Sequence, residues 1–227
     1  MEKDVLRALQ SCPLFENISD EDILRSMKDI PYELVQYPKK TTYKSTGQPI
    51  EFADIVVSGE VNIRLEGKTG KRATIGGYGI GRILAPSVIF SKSGILPVTL
   101  EVTKPTTLLR MAPESLLKIM SHNRNIQKNF IIRLSSICYD LIGTLNMITL
   151  HTVREKVAIF LLNESNRRNA DTFTLNKSRQ EIADVFAIQK FSLQRSLTEF
   201  VNEGIILVNG KNITILDRDR LTSIANL

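Results

Sequence analysis

One segment constrains this chain more than any other: SRQEIADVFAIQKFSLQRSL, Ser178 to Leu197, followed after TEFVNEG by IILVNGKNITI. Ser178 stands three residues before Glu181, the spacing at which a helix cap and a glutamate exchange hydrogen bonds with each other's backbone. Ile182, Ala183, Val185 and Phe186 make the buried side of the helix this opens. Ala183 is small where two helices would cross. Ala187 and Ile188 then turn the chain, with Ile188 plugging the corner. Leu193, Leu197 and Phe200 give a second helix, from about Lys190 to Val201, its buried side. Asn209-Gly210 between two β-rich runs is a strong hairpin signal. Lys190, Ser192, Gln194 and Arg195 fall outside the buried period.

Two short helices, a corner and a hairpin in that order read as a winged helix-turn-helix. Such a module lays its second helix in the DNA major groove. Lys190 and Arg195 can donate to guanine O6 and N7, and Gln194 can pair with adenine. Phe191 either touches a thymine methyl or folds back against the protein. Ser178, Arg179 and Gln180 lie at a helix start, where backbone N–H groups and the dipole suit a phosphate. Each of these residues taken singly is more often a solvated surface side chain. The ordered set of cap, small residue, corner, second helix and wing favours DNA.

Upstream the texture differs. Leu6 and Leu9 sit at helical spacing, and Ser19 with Asp22 resembles a capping box opening a short helix through Met27. From about 31 to 111, short β-type runs alternate with glycines at 47, 59, 67, 70, 76, 77, 79, 81 and 94. That pattern predicts a compact β barrel or roll. The alternation of Val61, Ile63 and Leu65 with polar neighbours predicts a strand buried on one face. Gly76, Gly77, Gly79 and Gly81 read as a turn in the roll; no helix clearly follows, so a nucleotide loop is not indicated.

Pro113 suits the first position of a short helix. A longer helix follows, with Phe130, Leu134, Ile137, Leu141, Leu145 and Ile148 at steps close to a heptad seam. Ile131, Ile132, Cys138 and Ile142 add a second apolar strip. A helix apolar on two sides needs two surfaces to cover it. The roll supplies one; a second copy of the helix is favoured for the other over burial within a single chain. HTVREKVAIFLLNES then predicts an amphipathic helix, with a domain boundary near His151 and a brief strand in TFTL.

Composition sets limits. The chain has 227 residues, a net charge of +6, and 30 Lys and Arg that are scattered rather than blocked, which permits a polyanionic partner without requiring one. The acidic N-terminal stretch lacks a signal-peptide core, and no apolar run approaches the ~20 residues of a membrane span. Two cysteines, Cys12 and Cys138, preclude a disulfide framework and a four-thiolate cluster and suggest a reducing, cytoplasmic compartment. No nucleophile–base pair or metal constellation stands out, so an enzyme is a poor reading and no cofactor is expected.

The residues resemble those of the CRP/FNR family of bacterial transcription regulators over nearly the whole chain. The likeness is most specific in SRQEIADVFAIQKFSLQRSL, next in ADIVVSGEV, then in the order of roll, long helix and winged helix. It implies an α+β fold with a cyclic-nucleotide-binding-like roll (a double-stranded β-helix) at residues 1–125, a dimerisation helix at 126–150 and a DNA-binding domain at 151–227. It also implies a homodimer, a two-fold symmetric operator and contact with RNA polymerase. In the helix pair, Ala187 stands where glycine is common, Ser196 where an apolar residue is common, and Phe191 where a polar residue or proline is common.

A further departure lies in the roll. Cyclic-nucleotide binders of the family carry a Gly-Glu pair and, about a dozen residues later, an Arg-Ser pair. Here Gly81-Arg82 and Leu96-Pro97 stand at those places. Desolvating a cyclic phosphate without a cation is costly, and Arg82 sits at the wrong end for the family's geometry, so no response to cyclic AMP is expected. His122 and His151 lie away from the roll and read as packing or surface residues rather than haem ligands. An unknown effector, or none, remains. Arg82, Ile83, Leu84, Leu96 and Pro97 are the candidate pocket, although Ile83 and Leu84, with Val88, Ile89 and Phe90, read better as core. Cys12 is a candidate oxidation sensor, although a lone cysteine is usually just a cysteine. A ligand-sensing or scaffolding protein whose helix pair serves protein contacts is the competing function.

Overall fold

The computed structural model describes residues 2–67 and 72–226; Gly70, counted above among the turn signals, lies outside them. The chain divides into two compact units, Met1–Asp140 and Leu141–Leu227, and each is taken by itself.

The first unit opens with α1 (Lys3–Gln10), a 3-10 turn at Pro13–Phe15 and α2 (Asp20–Met27). Ser19 caps α2 by accepting from the Asp22 N–H at 3.2 Å. The Asp22 carboxylate accepts from the Ser19 hydroxyl at 2.9 Å. An aspartate is one methylene shorter than the glutamate of a full capping box, whose carboxylate reaches the cap's backbone N–H.

Five strands follow: β1 (Glu33–Tyr37), β2 (Thr41–Lys44), β3 (Ala53–Glu66), β4 (Arg72–Tyr78) and β5 (Thr99–Met111). They form one antiparallel sheet in the order β1-β5-β3-β4, with β2 also on β5. Register shifts between Val56 and Val61 bend the long β3–β5 pair, as bulges do. Gly59 sits in the bend with φ +88°, and a Cβ there would lie 2.3 Å from Thr106 Oγ1. Gly76 and Gly77 lie inside β4, opposite Ile63 and Asn62, rather than in a turn. The bend encloses Ile55, Leu84, Leu96, Leu100, Leu108 and Leu109, all buried, each contributing about 1.5–3 kcal/mol of transfer free energy.

One ionic group sits inside this unit. Asp54 and Arg110 face each other across β3 and β5. The fully buried Asp54 carboxylate accepts from Arg110 Nη2 at 2.7 Å, Arg110 Nε at 3.1 Å and the Tyr43 hydroxyl at 2.7 Å. Arg110 Nη2 also donates to the Tyr37 hydroxyl at 3.0 Å. Burial, helped by the Asp54 charge, pushes the Tyr43 phenol far above its ordinary range, and the hydrogen bond to Asp54 holds Arg110 protonated.

After α3 (Pro86–Ile89) and β5 come α4 (Pro113–His122), with Pro113 in its first turn, and α5 (Arg124–Leu150). Ile126 and Phe130 are buried in the roll's core and Leu134 packs on it. Phe130, placed by its spacing in a seam between chains, is therefore taken up by its own roll, edge to face with Phe90 at 5.7 Å. Beyond Leu134 much of the helix's apolar surface is exposed in the single chain. Leu141, Ile142 and Leu145 are each more than half exposed, as is Ile131, and Ile148 is exposed at 37%. Among the described residues α5 alone has the length and composition of a membrane span. Its apolar residues are not a continuous run, however: Ser135, Ser136, Asp140, Thr144, Asn146 and Thr149 interrupt them.

The second unit contains α6 (Val153–Arg168), β6 (Thr172–Thr174), α7 (Arg179–Val185), α8 (Lys190–Asn202), β7 (Ile206–Asn209), β8 (Asn212–Ile215) and α9 (Arg218–Ile224). Thr152 and Glu155 form a capping box on α6. Lys156, almost fully buried, donates to the Ile148 carbonyl at 3.0 Å, satisfying an orphan acceptor in the last turn of α5. The strands form a sheet in the order β6-β8-β7, and α9 is tied back by Arg218, which donates to Ser165 Oγ at 2.9 Å.

Candidate nucleic-acid interface

The local chemistry of α7 follows the sequence closely. Ser178 Oγ accepts from the Glu181 N–H at 3.2 Å, and Glu181 Oε2 accepts from the Ser178 N–H at 2.6 Å. Hydrogen bonds from the Ser178 backbone and then its side chain hold the Glu181 carboxyl below the usual carboxylate range. They leave the Arg179 and Gln180 N–H groups without a hydrogen-bond partner among the described residues. Ile182 and Ala183 are buried, so α8 can approach closely at the small residue.

The corner is made by Ala187, which takes φ +52°. A left-handed conformation costs an L-residue roughly 1 kcal/mol or more that glycine would not incur. It is compensated locally: the Ile188 N–H donates to the Ala183 carbonyl at 3.0 Å, and the Ile188 side chain is buried. On α8, Leu193, Ser196, Leu197 and Phe200 face the core. Ser196 is thus a buried hydroxyl at a position where apolar residues are common.

Lys190, Phe191, Gln194 and Arg195 are exposed, and Ser192 is half-buried. Phe191 is 78% exposed, so of the two alternatives it has not folded back. Gln189, the cap of α8, makes no side-chain bond to the helix start. Arg195 Nε donates to Glu199 Oε1 at 2.9 Å. That pair lies at the surface and is worth at most ~1 kcal/mol, so releasing Arg195 to a base edge costs little. Behind α8, Arg154 bonds Glu203 at 2.7 Å and stacks over the Phe200 ring at 4.8 Å, anchoring the helix to α6.

The wing is the β7–β8 hairpin, with Asn209 opposite Asn212 and Gly210-Lys211 as its central residues. The turn therefore falls one residue later than an Asn-Gly pair would place it, with Gly210 at φ +60° in the first central position, as a II′ turn requires. Arg179 Nη2 donates to the Gly210 carbonyl at 3.2 Å. Arg179 thus ties the start of α7 to the wing tip, and partial burial lowers its pKa from the ordinary arginine value. Gln180 Nε2 donates to Asp184 Oδ1 at 2.9 Å. The Arg179 tether, the pairing of β6 with the wing and α9 were not legible locally, since each joins residues more than thirty positions apart or rests on a weak capping signal.

The roll residues proposed for an effector are divided between core and surface. Leu84 and Leu96 are buried in the core, and Pro97 is exposed on the surface. Arg82 and Ile83 share a hollow with Pro13, Leu14 and Arg133. Cys12 is buried, and desolvation raises its thiol to about 12, the opposite of what a reactive thiolate needs. Among the described residues no group of metal-ligating side chains is present.

Residues 155–224 match the Crp-like helix-turn-helix domain. No curated protein matches the chain. Solved structures resemble it along most of its length. CooA from Carboxydothermus hydrogenoformans aligns with a TM-score of 0.70 and 16% identity over 93% of this chain and 94% of that one. The c-di-GMP responsive global regulator CLP of Xanthomonas campestris gives 0.66 and 20% over 87% and 99%. The catabolite activator protein of Thermus thermophilus gives 0.55 and 19% over 94% and 98%. The chain has the fold of the CRP/FNR transcriptional regulators. Residues 155–224, within its second unit, form a Crp-like helix-turn-helix domain.

Proposed function

We propose that the chain acts in the cytoplasm as a homodimeric, sequence-specific DNA-binding regulator that does not respond to cyclic AMP. The observation that carries the reading is the outward set Lys190, Phe191, Gln194 and Arg195 on a helix whose other side is buried. Lys190 and Arg195 offer donors to guanine, Gln194 to adenine, and Phe191 an apolar surface to a thymine methyl. The Arg179 tether sets the wing for backbone contacts, which position the module without reading sequence. Pairing of α5 with its copy through Leu134, Ile137, Leu141, Leu145 and Ile148 would cover the bare apolar residues and present two recognition helices to a symmetric operator. Contact with RNA polymerase is part of the same proposal. Against cyclic AMP stands the absence of a cation at the second motif: Leu96 there is a core residue.

Binding of the full chain to genomic fragments at physiological salt, followed by footprinting, tests the reading. Protection of an inverted repeat with half-sites one helical turn apart is expected. Sequence-independent retention alone would favour the scaffolding alternative. Calorimetric titration with cyclic AMP should give no heat of binding, and micromolar affinity would refute that part.

A further inference from the structure

A cleft of about 500 Å³ opens in the first unit between the end of α1, the 3-10 turn and the first half of α5. Its lining includes Arg82, Arg133, Asn129, Ser136, Gln10 and Glu16. The two arginines come from elements far apart in sequence, the turn after β4 and the third turn of α5. Both also border the small hollow beside Leu14. Neither side chain has a hydrogen-bond or ion-pair partner among the described residues. Most other arginines near carboxylates in this chain are paired, including Arg64, Arg110, Arg154 and Arg195.

The walls are fixed rather than loose. Gly81 takes φ +75° and lies so close to α1 that a Cβ would stand 2.7 Å from the Ser11 carbonyl oxygen. The Gly81 N–H donates to the Val56 carbonyl, and the Arg82 carbonyl accepts from the Val56 N–H at 3.0 Å. Arg82 therefore starts from a backbone pinned to both β3 and α1. On the opposite wall, Asn129 Nδ2 donates to the Leu14 and Glu16 carbonyls at 3.1 and 2.9 Å, locking the 3-10 turn to α5. Two arginines carried on rigid supports in a cleft that hydroxyl and amide side chains also line suit an oxyanion, because each guanidinium can present a planar pair of donors to it.

We propose that this cleft binds a small oxyanion ligand, a molecule carrying a carboxylate or phosphate that bridges Arg82 and Arg133. Glu16 at the same cleft favours a ligand with a hydrogen-bond donor away from its anionic end. The site shares Arg82 with the Gly-Glu position but differs from the pocket expected from both pairs, since Leu96 and Pro97 of the Arg-Ser position take no part in it. Because Arg133 belongs to α5, a bound anion would fasten the first half of that helix to the 3-10 turn and the roll.

The test needs no DNA, so its failure leaves the regulator reading untouched. The full chain is titrated by calorimetry with pyrophosphate and with citrate at constant ionic strength. Saturable binding of at least one is expected, weakened about 10-fold or more by Arg82→Gln and separately by Arg133→Gln. Arg25→Gln, on α2 and outside the cleft, should leave the affinity unchanged. Unfolding midpoints of the cleft variants in the absence of anion should match the parent, which separates lost ligand contacts from lost structure. Arg133→Lys, which keeps the charge but not the planar pair of donors, should fall between parent and Gln variant. Absence of binding to both probes, or binding indifferent to both arginine substitutions, overturns the proposal.

Discussion

Arg110 and Arg195 carry the same guanidinium in opposite situations. Arg110 lies in the first unit beneath Phe52 and Tyr37 with a fully buried carboxylate as its partner. Arg195 lies in the second unit with its side chain 76% exposed and only a surface glutamate beside it. The roll turns this charge inward, where it costs desolvation and is offset by close hydrogen bonds. The helix pair turns its charges outward, where they contribute little to folding and stay available to a partner. At these two positions, the charge inside the roll serves stability, and the charge on α8 stays open to a partner.

The largest expected effect tests the inward half of that contrast. Arg110→Leu leaves Asp54 buried and unpaired and should lower the stability of the first unit by about 3–5 kcal/mol. All five tyrosines lie within residues 1–140 and the chain has no tryptophan, so tyrosine fluorescence during urea unfolding reads that unit selectively. The double variant Asp54→Leu, Arg110→Leu should regain most of the loss, since no unpaired charge remains. A single-variant loss under about 1 kcal/mol would mean the carboxylate is reached by water and the contrast fails.

Next comes the bare surface of α5. Leu141→Glu would set like charges against each other in the proposed two-fold contact, at about 2–3 kcal/mol or roughly 100-fold in the dimer constant. Sedimentation equilibrium should show monomers where the parent is dimeric, with operator binding weakened in step. Because Leu141 is exposed in the single chain, the unfolding midpoint of the monomer should barely move. An intact dimer would place the covering surface elsewhere.

The outward half of the contrast predicts a smaller and different change. Arg195→Ala should alter stability by no more than ~0.5 kcal/mol while costing about 1–3 kcal/mol of discrimination at one base position. Binding to operators substituted base by base measures it. A uniform loss across all sequences would reassign Arg195 to the phosphate backbone. Arg179→Ala should behave in that uniform manner and reduce the salt slope, with an added loosening of the wing through the Gly210 contact.

How much could be read from the sequence follows the same division. The helix pair was legible because its determinants are local: a cap and glutamate three residues apart, apolar residues at helical spacing, and a turn dipeptide. The buried group of the roll was not. Asp54 and Arg110 stand 56 positions apart and become neighbours only through the register of β3 on β5, which several bulges alter. Phe130 misled for a related reason. Its spacing fits the seam, yet spacing along a helix does not say which surface reaches that side chain first, and the roll reaches it. Leu84 and Leu96 could not be assigned to pocket or core from sequence because apolar residues that line a pocket and those that fill a core have the same chemistry; both are buried. The cleft at Arg82 and Arg133 needs three segments brought together by the fold, and no local pattern announces it.

The smallest effect concerns the corner itself, where the local reading was sharpest and still left a residue out of place. Ala187 holds φ +52° without a glycine's freedom. Ala187→Gly removes a steric cost of roughly 1–2 kcal/mol but restores backbone entropy to the unfolded chain worth about 0.4–1 kcal/mol. The two nearly cancel, and a net gain of about 0.5 kcal/mol is expected, read as a small rise in the unfolding midpoint of the second unit. The methyl is exposed, so no packing is lost and the sign rests on the backbone alone. Bulkier Ala187→Val should be destabilising, because a β-branched residue is far less tolerant of positive φ. If glycine instead lowers stability while leaving DNA affinity unchanged, the strain at the corner is already relieved by the Ile188 to Ala183 hydrogen bond, and the second unit stores less of it than its backbone angle implies.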